Sequence, residues 1–473
     1  MLRSHLISFL CVACLTSCVN YAGIHGASHP LDNEMLKSSY SDEPTQHVKT
    51  VQAADWWHIY HDPKLNTLVA AALRDSPNLQ MAKSRLATSQ HIAEAAGSSL
   101  WPQLDASGSI QRERLTENTF FPPPFGGNNY TETNIGLNFN YELDFWGKNR
   151  SIIAARTNDA KAAAAEVAEA RLILAAAVSS NYFQLQYELS AIKLYRDIVK
   201  QRQEMLKIVA LRARHGIVSD IPMTTANADL QSALIAMTSL QQQVKLTTHE
   251  LAALAGQNPF TTSIDVTPFA YRQNILRMPK SIPANLLARR PDIIAACWRM
   301  QAAASLVNAS KARFYPNVNL LALWSYQSFI LSKAFDSGSR DSYIGAAVDL
   351  PIFDAGRRRA NLSAQYAEFD TAQEQYNQTL LNALRDTADQ VAILHALNKQ
   401  EHDQSYSLSA IKKNYQLTQA RYKHGINDYM SVLEIQGALL NQQNAQIQLR
   451  AQQIKATVAM IKALGGNYLI IEG

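Results

Sequence analysis

The chain has 473 residues, 47% of them hydrophobic, with a formal net charge of +5. The positive charge is spread along the chain, so composition makes no case for nucleic-acid binding. Beyond the N-terminal run, no stretch approaches the roughly 18 apolar residues of a membrane-spanning helix.

At the N-terminus, Arg3 and His5 precede an apolar run from Leu6 to Leu15, too short to span a bilayer and of the kind that directs export. It leads through Leu15-Thr16-Ser17 to Cys18, a pattern similar to a bacterial lipobox, in which Cys18 is acylated and becomes the first mature residue. The competing reading is an ordinary signal peptide with incidental cysteines, since Cys11 and Cys14 lie in the same run. Residues 1–17 are thus read as a lipoprotein signal peptide, and 18–54, polar and without sustained period, as a lipidated tether. Several acyl chains, each contributing about 0.8 kcal/mol per buried methylene, make a firm anchor. Val19 rather than aspartate follows the cysteine, which favours the outer membrane over the inner. With Cys18 lipidated, Cys297 has no partner for a disulfide. Within its helical pattern it reads as a small buried apolar residue rather than a reactive thiol.

At Asp55-Trp56-Trp57 the composition turns amphipathic, and a helix is predicted from about Lys64 through Ser98, interrupted near Pro77. The period then changes from 3.6 to 2. From Asn134 to Leu143 every second residue is apolar, and those between are asparagine, glycine or glutamate, which predicts a strand with one oily and one wet face. Strands are placed at about 102–115 and 132–145, and in the second half at about 315–328 and 342–351. Turn-rich loops, Thr116 to Thr131 and Ile330 to Asp341, separate the partners. A half-buried sheet in a soluble domain would alternate in the same way. Against it stand the export signal, the asparagine-rich wet face and loops at one end only, all features of outer-membrane barrels. Four strands cannot close a barrel, about eight being the practical minimum, and an open edge is not tolerated in hydrocarbon. On this reading other copies of the chain complete the wall.

Two stretches, Lys148 to His215 and Arg357 to His424, contain no glycine or proline, and each ends in His-Gly-Ile. As continuous helices they would reach roughly 100 Å. A glycine or proline in their interior would cost about 1 or 3 kcal/mol, so the absence of both fits a demand for straightness. Alanines at 162–165 and 175–177 let backbones approach closely, and Val178, Tyr182, Leu185, Leu189 and Ile192 hold a three-four seam.

The chain is duplicated. Pro77 answers to Pro291, Trp101-Pro102 to Tyr315-Pro316, Gly147-Lys148 to Gly356-Arg357, and His215-Gly216-Ile217 to His424-Gly425-Ile426. The offset shifts across loops and holds near 209 through the long helices, as between His215 and His424. There a one-residue slip would rotate every later side chain by about 100°, whereas loops absorb insertions at little entropic cost. Length alone argues about three domains, but the repeat gives one elongated unit of two halves, 55–256 and 283–466. Their hairpin tips fall near 216 and 425, with a linker at 257–282 and a C-terminal tail at 467–473.

Asp55-Trp56-Trp57 with Asp62-Pro63-Lys64-Leu65 resembles the opening of the bacterial outer-membrane efflux lipoproteins, the TolC-like, NodT-type group. Leu287-Ala288-Arg289-Arg290-Pro291-Asp292-Ile293 with Phe314-Tyr315-Pro316 resembles that family's most specific internal segment. Tyr141-Glu142-Leu143-Asp144-Phe145-Trp146-Gly147 resembles its strand-to-helix junction. The resemblance implies an α+β membrane protein: a trimer whose twelve-stranded outer-membrane barrel, four strands per chain, continues into a long α-helical periplasmic barrel. It implies a passive exit duct for drugs or other toxic compounds, working with a periplasmic adaptor and an inner-membrane pump, commonly of the resistance-nodulation-division type. The same duct in a type I protein-secretion system, or a periplasmic coiled-coil lipoprotein without a pore, are the alternatives. Cys297 stands where the family usually has glutamate, a departure read as packing; at the tips Pro222 and Ser431 stand where aspartate is frequent, so the family's gate residues do not carry over simply.

Zinc-protease, Walker and nucleophile-elbow motifs are absent, so no enzyme, metal or cofactor is expected, only the covalent lipid on Cys18. The residues that matter are at the tips. Gly216 and Gly425 permit the turns between antiparallel helices. Asp220 and Asp428 lie just past them. Either they cap the following helices, or threefold copies form an acidic mouth that favours cations and limits leakage. Arg214 and Lys423 are candidates to pair with them. His215 and His424 are either metal- or pH-responsive groups or solvated tip residues.

Overall fold

A computed structural model of the chain describes residues 21–29, 48–52, 55–118, 120, 124, 126–268 and 289–471. Cys18 and the signal segment lie outside the described residues. The elements, in chain order, are strand β1 (Val48–Gln52), helices α1 (Pro63–Asp75) and α2 (Pro77–Gly97), and strands β2 (Gln103–Arg114) and β3 (Asn129–Leu143). Helices α3 (Lys148–Arg214), α4 (Asp220–Leu254) and α5 (Pro291–Ala312) follow. The chain then runs through strands β4 (Asn317–Ser328) and β5 (Arg340–Asp349), helices α6 (Arg357–Lys423) and α7 (Tyr429–Ala463), and strand β6 (Asn467–Ile471). Helices α3 and α6 are each 67 residues long, and α4 and α7 each 35. Among the described residues no helix is long and apolar enough to cross a membrane.

The structure adds to the sequence reading at both ends. Val48–Gln52, inside the expected tether, pairs antiparallel with Asn467–Ile471, inside the expected tail, Val48 lying opposite Ile471. Strands of five residues are too short to announce themselves by alternation. Residues 21–29 of the tether are docked on α6. There the Asp370 carboxylate accepts from the backbone N–H groups of Ala27 and Ser28 at 2.9 and 3.2 Å, and Asn377 Nδ2 donates to the His29 carbonyl at 3.2 Å. The Tyr21 ring meets Phe314 edge-on, centroids 5.5 Å apart.

One compact unit draws on Arg85–Ala164 and Ala295–Asn377 and carries a four-stranded antiparallel sheet of order β2-β3-β4-β5. Residues directly opposite one another share a face. Ile135 lies between Gly108 and Tyr326, and Leu137 between Ala106 and Trp324. One face therefore carries Leu104, Ile110, Ile135, Phe139, Leu320, Trp324 and Ile344, while the other carries Asp105, Asn134, Asn138, Asn140, Asn319 and Gln327. Each strand-to-helix junction is capped by an aspartate. Asp144 accepts from the Asn149 and Arg150 N–H groups at 3.1 and 2.9 Å. Asp354 accepts from the Gly356 and Arg358 N–H groups at 3.2 and 3.3 Å. Trp146 stacks on Tyr315 with centroids 4.5 Å apart and donates its indole N–H to the Pro316 carbonyl at 2.9 Å. Cys297 is a half-buried free thiol, with Gln301 Nε2 3.5 Å from its sulfur.

The other unit draws on Leu31–Ser84, Ala165–Ile294 and Gln378–Gly473. Its main core packs Trp56, Trp57, Tyr60, Leu65 and Val69 against Val178, Tyr182 and Leu185. Asp62 connects the two sets: one oxygen caps α1 through the Lys64 N–H at 3.0 Å, and the other accepts from the Tyr182 hydroxyl at 2.7 Å. Arg290 does comparable work for the C-terminal helix. Its guanidinium grips Asp292 through Nε and Nη2 at 3.1 and 2.7 Å, and Nη1 donates to the Ala463 carbonyl at the end of α7, 3.0 Å away. An orphan helix-end carbonyl is thereby satisfied by a charged donor.

Candidate functional site

The tips are built alike. At the end of α3 the Ile217 N–H donates to the Arg212 carbonyl and the Gly216 N–H to the Ala213 carbonyl, both at 2.9 Å. At the end of α6 the Ile426 N–H reaches the Arg421 carbonyl and the Gly425 N–H the Tyr422 carbonyl, again both at 2.9 Å. This is the Schellman termination, which places one residue in the left-handed region. Gly216 and Gly425 hold that place with φ of +69° and +74°, so glycine is required by backbone conformation rather than by crowding.

Past the turns the two halves differ. Asp428 is the N-cap of α7, accepting from the Ser431 N–H at 3.0 Å and the Ser431 hydroxyl at 2.7 Å. Its second oxygen accepts from Arg212 Nη2 at 2.8 Å. The Ser431 hydroxyl, the Arg212 guanidinium and the Ser431 amide together hold the Asp428 carboxyl down to about 2. In the first half Ser219 occupies the N-cap of α4 without a side-chain capping bond, and Asp220 is the first helical residue. Among the described residues no ion pair reaches Asp220.

The cation at the tip is therefore Arg212, not the Arg214 or Lys423 expected from proximity in sequence. Two residues along a helix turn the side chain by about 200°. Arg212 thus faces α7 while Arg214, like Lys423, is exposed. His215 and His424 are exposed as well, and no group of three or more metal-ligating side chains occurs among the described residues. A further contact seals the same seam: the Tyr429 hydroxyl donates to Glu204 at 3.4 Å while its ring tilts against Tyr422, centroids 5.3 Å apart. Deeper in, buried Gln201 of α3 donates to the Leu433 carbonyl of α7 at 2.8 Å, passing over Gly437, which leaves room for it.

Glu204, Gln201 and Tyr429 carry no sequence signal of this role. Nor does Arg212, which nothing in the sequence separates from Arg214. At the constant offset Arg212 matches Arg421, but Asp428 matches Ser219, so only one of the two equivalent positions can form the ion pair. Next to the ion pair, the tips present exposed Ile217, Ile221 and Ile426, 70%, 73% and 63% accessible.

A model of the family described as "Outer membrane efflux protein" matches residues 68–257 and 282–466. The multidrug resistance outer membrane protein MdtP of Escherichia coli strain K12 is 30% identical over 425 residues, 88% of this chain and 86% of that one. The crystal structure of the outer membrane protein VceC from Vibrio cholerae superposes with a TM-score of 0.77 at 32% identity, covering 87% of this chain and 98% of VceC. The CmeC outer membrane channel of Campylobacter jejuni gives a TM-score of 0.81 over 93% of each chain. At 23% identity that is a likeness of fold.

Proposed function

Because this chain belongs to the outer membrane efflux protein family, we propose that three copies join their sheets edge to edge into a twelve-stranded barrel whose helical hairpins form a periplasmic tunnel. The chain is an exit duct for efflux in the outer membrane. The observation that carries the trimeric reading is the sheet itself, with one face apolar, one face wet, and β2 and β5 as its edges. Such edges are excluded from hydrocarbon unless another strand covers them. Heat-resistant trimers in outer-membrane fractions, with single-channel conductance in planar bilayers, are the expected result; a water-soluble monomer would overturn the reading.

The duct conducts passively. Drugs or other toxic compounds are the proposed cargo, following the multidrug name of MdtP, with type I protein secretion as the second system such a duct serves. Acylation of Cys18 is proposed as the anchor, and its support is the docking of Tyr21 and the residues after it only three positions further on. The closed state is held by the Arg212–Asp428 pair, and a periplasmic adaptor of an inner-membrane pump docks on the exposed isoleucines around Gly216 and Gly425. Adaptor crosslinking to cysteines placed at Ile217 and Ile426 tests this, and its absence in cells that perform efflux would refute it.

A further inference from the structure

The four strands segregate charge completely. Six carboxylates (Asp105, Glu113, Glu132, Glu142, Asp341, Asp349) lie on the wet face, and the only basic residues of the strands (Arg112, Arg114, Arg340) lie on the apolar one. All three arginines occupy the ends of β2 and β5 remote from the helices, where the loops emerge. Arg114 is engaged by its own loop, donating to the Gly127 carbonyl at 3.1 Å. Arg112 and Arg340 are exposed and make no ion pair among the described residues.

Aromatic rings mark the level of Arg340. Tyr326 lies directly opposite Arg340, flanked by Trp324 at 6.2 Å and by Phe335 of the loop at 5.9 Å, centroid to centroid. Trp324 and Phe335 are 53% and 69% accessible. Aromatic rings of this kind line the boundary between hydrocarbon and head groups. The spacing agrees. Arg112 follows Leu104, and Arg340 precedes Val348, by the same eight positions, or about 27 Å along a strand. Tilted as barrel strands are, that is roughly 21 Å of height, slightly less than the apolar band of about 25 Å. A long arginine stem spans the remainder by extending its head outward.

We propose that Arg112 and Arg340 form a binding surface for the phosphate-bearing head groups of the lipid leaflet nearest the loops. A guanidinium offers a planar fork that matches phosphate geometry, and a cation on a lipid-facing strand is tolerated only near the interface. The proposal rests on the reading that this sheet is part of a transmembrane barrel.

The full chain, reconstituted in phosphatidylcholine vesicles with or without bisphosphorylated lipid A, distinguishes the outcomes. Lipid A retained per trimer is read by native mass spectrometry after detergent extraction. Wild type retains it, and each arginine removed in R112Q or R340Q weakens retention about fivefold, from about 1 kcal/mol per cation near an anionic surface. R112K with R340K retains an intermediate amount, and Asp105→Asn on the opposite face leaves retention unchanged. Equal retention by wild type and R112Q/R340Q in well-inserted trimers overturns the proposal alone. Failure of wild type to insert, read as complete protease sensitivity of the strands, overturns the barrel reading and the proposal with it.

Discussion

Arg212 and Asp428 meet at 2.8 Å across the seam between the two helical hairpins, one at the last turn of α3 and the other at the N-cap of α7. A residue from each of two similarly built hairpins thus closes a contact that the matching positions do not repeat. The equivalent positions, Arg421 and Ser219, hold no carboxylate. If the tips open by parting helices, the seam within one chain is latched and the equivalent seam is not.

Arg212→Ala is expected to raise single-channel open probability, whereas Arg421→Ala leaves it unchanged. Both side chains of the pair are about a third or more exposed, so the contact is worth about 0.2–1 kcal/mol, and 1 M salt should erase most of the difference. Arg212 is the better probe, because Asp428→Ala also removes a helix cap worth about 1 kcal/mol. Identical conductance in Arg212→Ala and wild type at low salt would refute the latch.

The latch should be indifferent to pH across the range a cell meets. The Asp428 carboxyl is depressed to about 2, below the roughly 3.9 of a free aspartate. A carboxylate favoured by folding contributes fully above its unfolded pKa, and the contribution is lost as pH falls through the folded value. Conductance measured from pH 8 to 5 is therefore expected to be flat, with opening only below about pH 4. A transition between pH 8 and 5 would refute the latch as the pH-indifferent contact it is expected to be.

Alanine substitution should rank the glycines by crowding. At Gly216 a Cβ meets nothing within 4 Å, so only the left-handed backbone is penalised, by about 1–2 kcal/mol. At Gly256 the added Cβ lies 2.6 Å from the Asp75 carbonyl oxygen, and at Gly465 it lies 3.0 Å from Arg290 Cα, both backbone atoms. Gly256→Ala and Gly465→Ala are expected to lower the unfolding temperature of the protein well beyond Gly216→Ala. Equal losses at all three positions would count against the close backbone approach.

Arg290→Lys is expected to behave as a loss rather than a conservative change. Lysine keeps the charge but cannot hold Asp292 through two nitrogens while donating to the Ala463 carbonyl. One lysine ammonium leaves either part of the half-buried Asp292 carboxylate or the Ala463 carbonyl short of a donor, at a cost of about 1–3 kcal/mol. The yield of folded protein recovered from membranes should fall accordingly, while a yield equal to wild type would show the cluster to be dispensable.

Much of this molecule is legible in its sequence. The alternation from Asn134 to Leu143 predicted a two-faced strand, and β3 has those faces. The glycine-free and proline-free stretches predicted helices that run unbroken for 67 residues. Asp62 and Arg290 were visible only as parts of motifs. Their work, joining α1 to α3 and ending α7, needed partners 120 and 173 positions away. The short pairing of β1 with β6 escaped because neither strand is long enough to show a period.

What the sequence determined by itself is periodic and local: helix and strand, which face is oily, where a left-handed turn needs glycine. These follow from side-chain spacing along one element and ask nothing of any other. Which cation meets Asp428 was settled only by tertiary structure. Arg212 and Arg214 are equivalent in charge and nearly so in position, and they differ by about 200° of helix rotation. Packing of α3 against α7 fixes that angle, and no pattern within either helix records it.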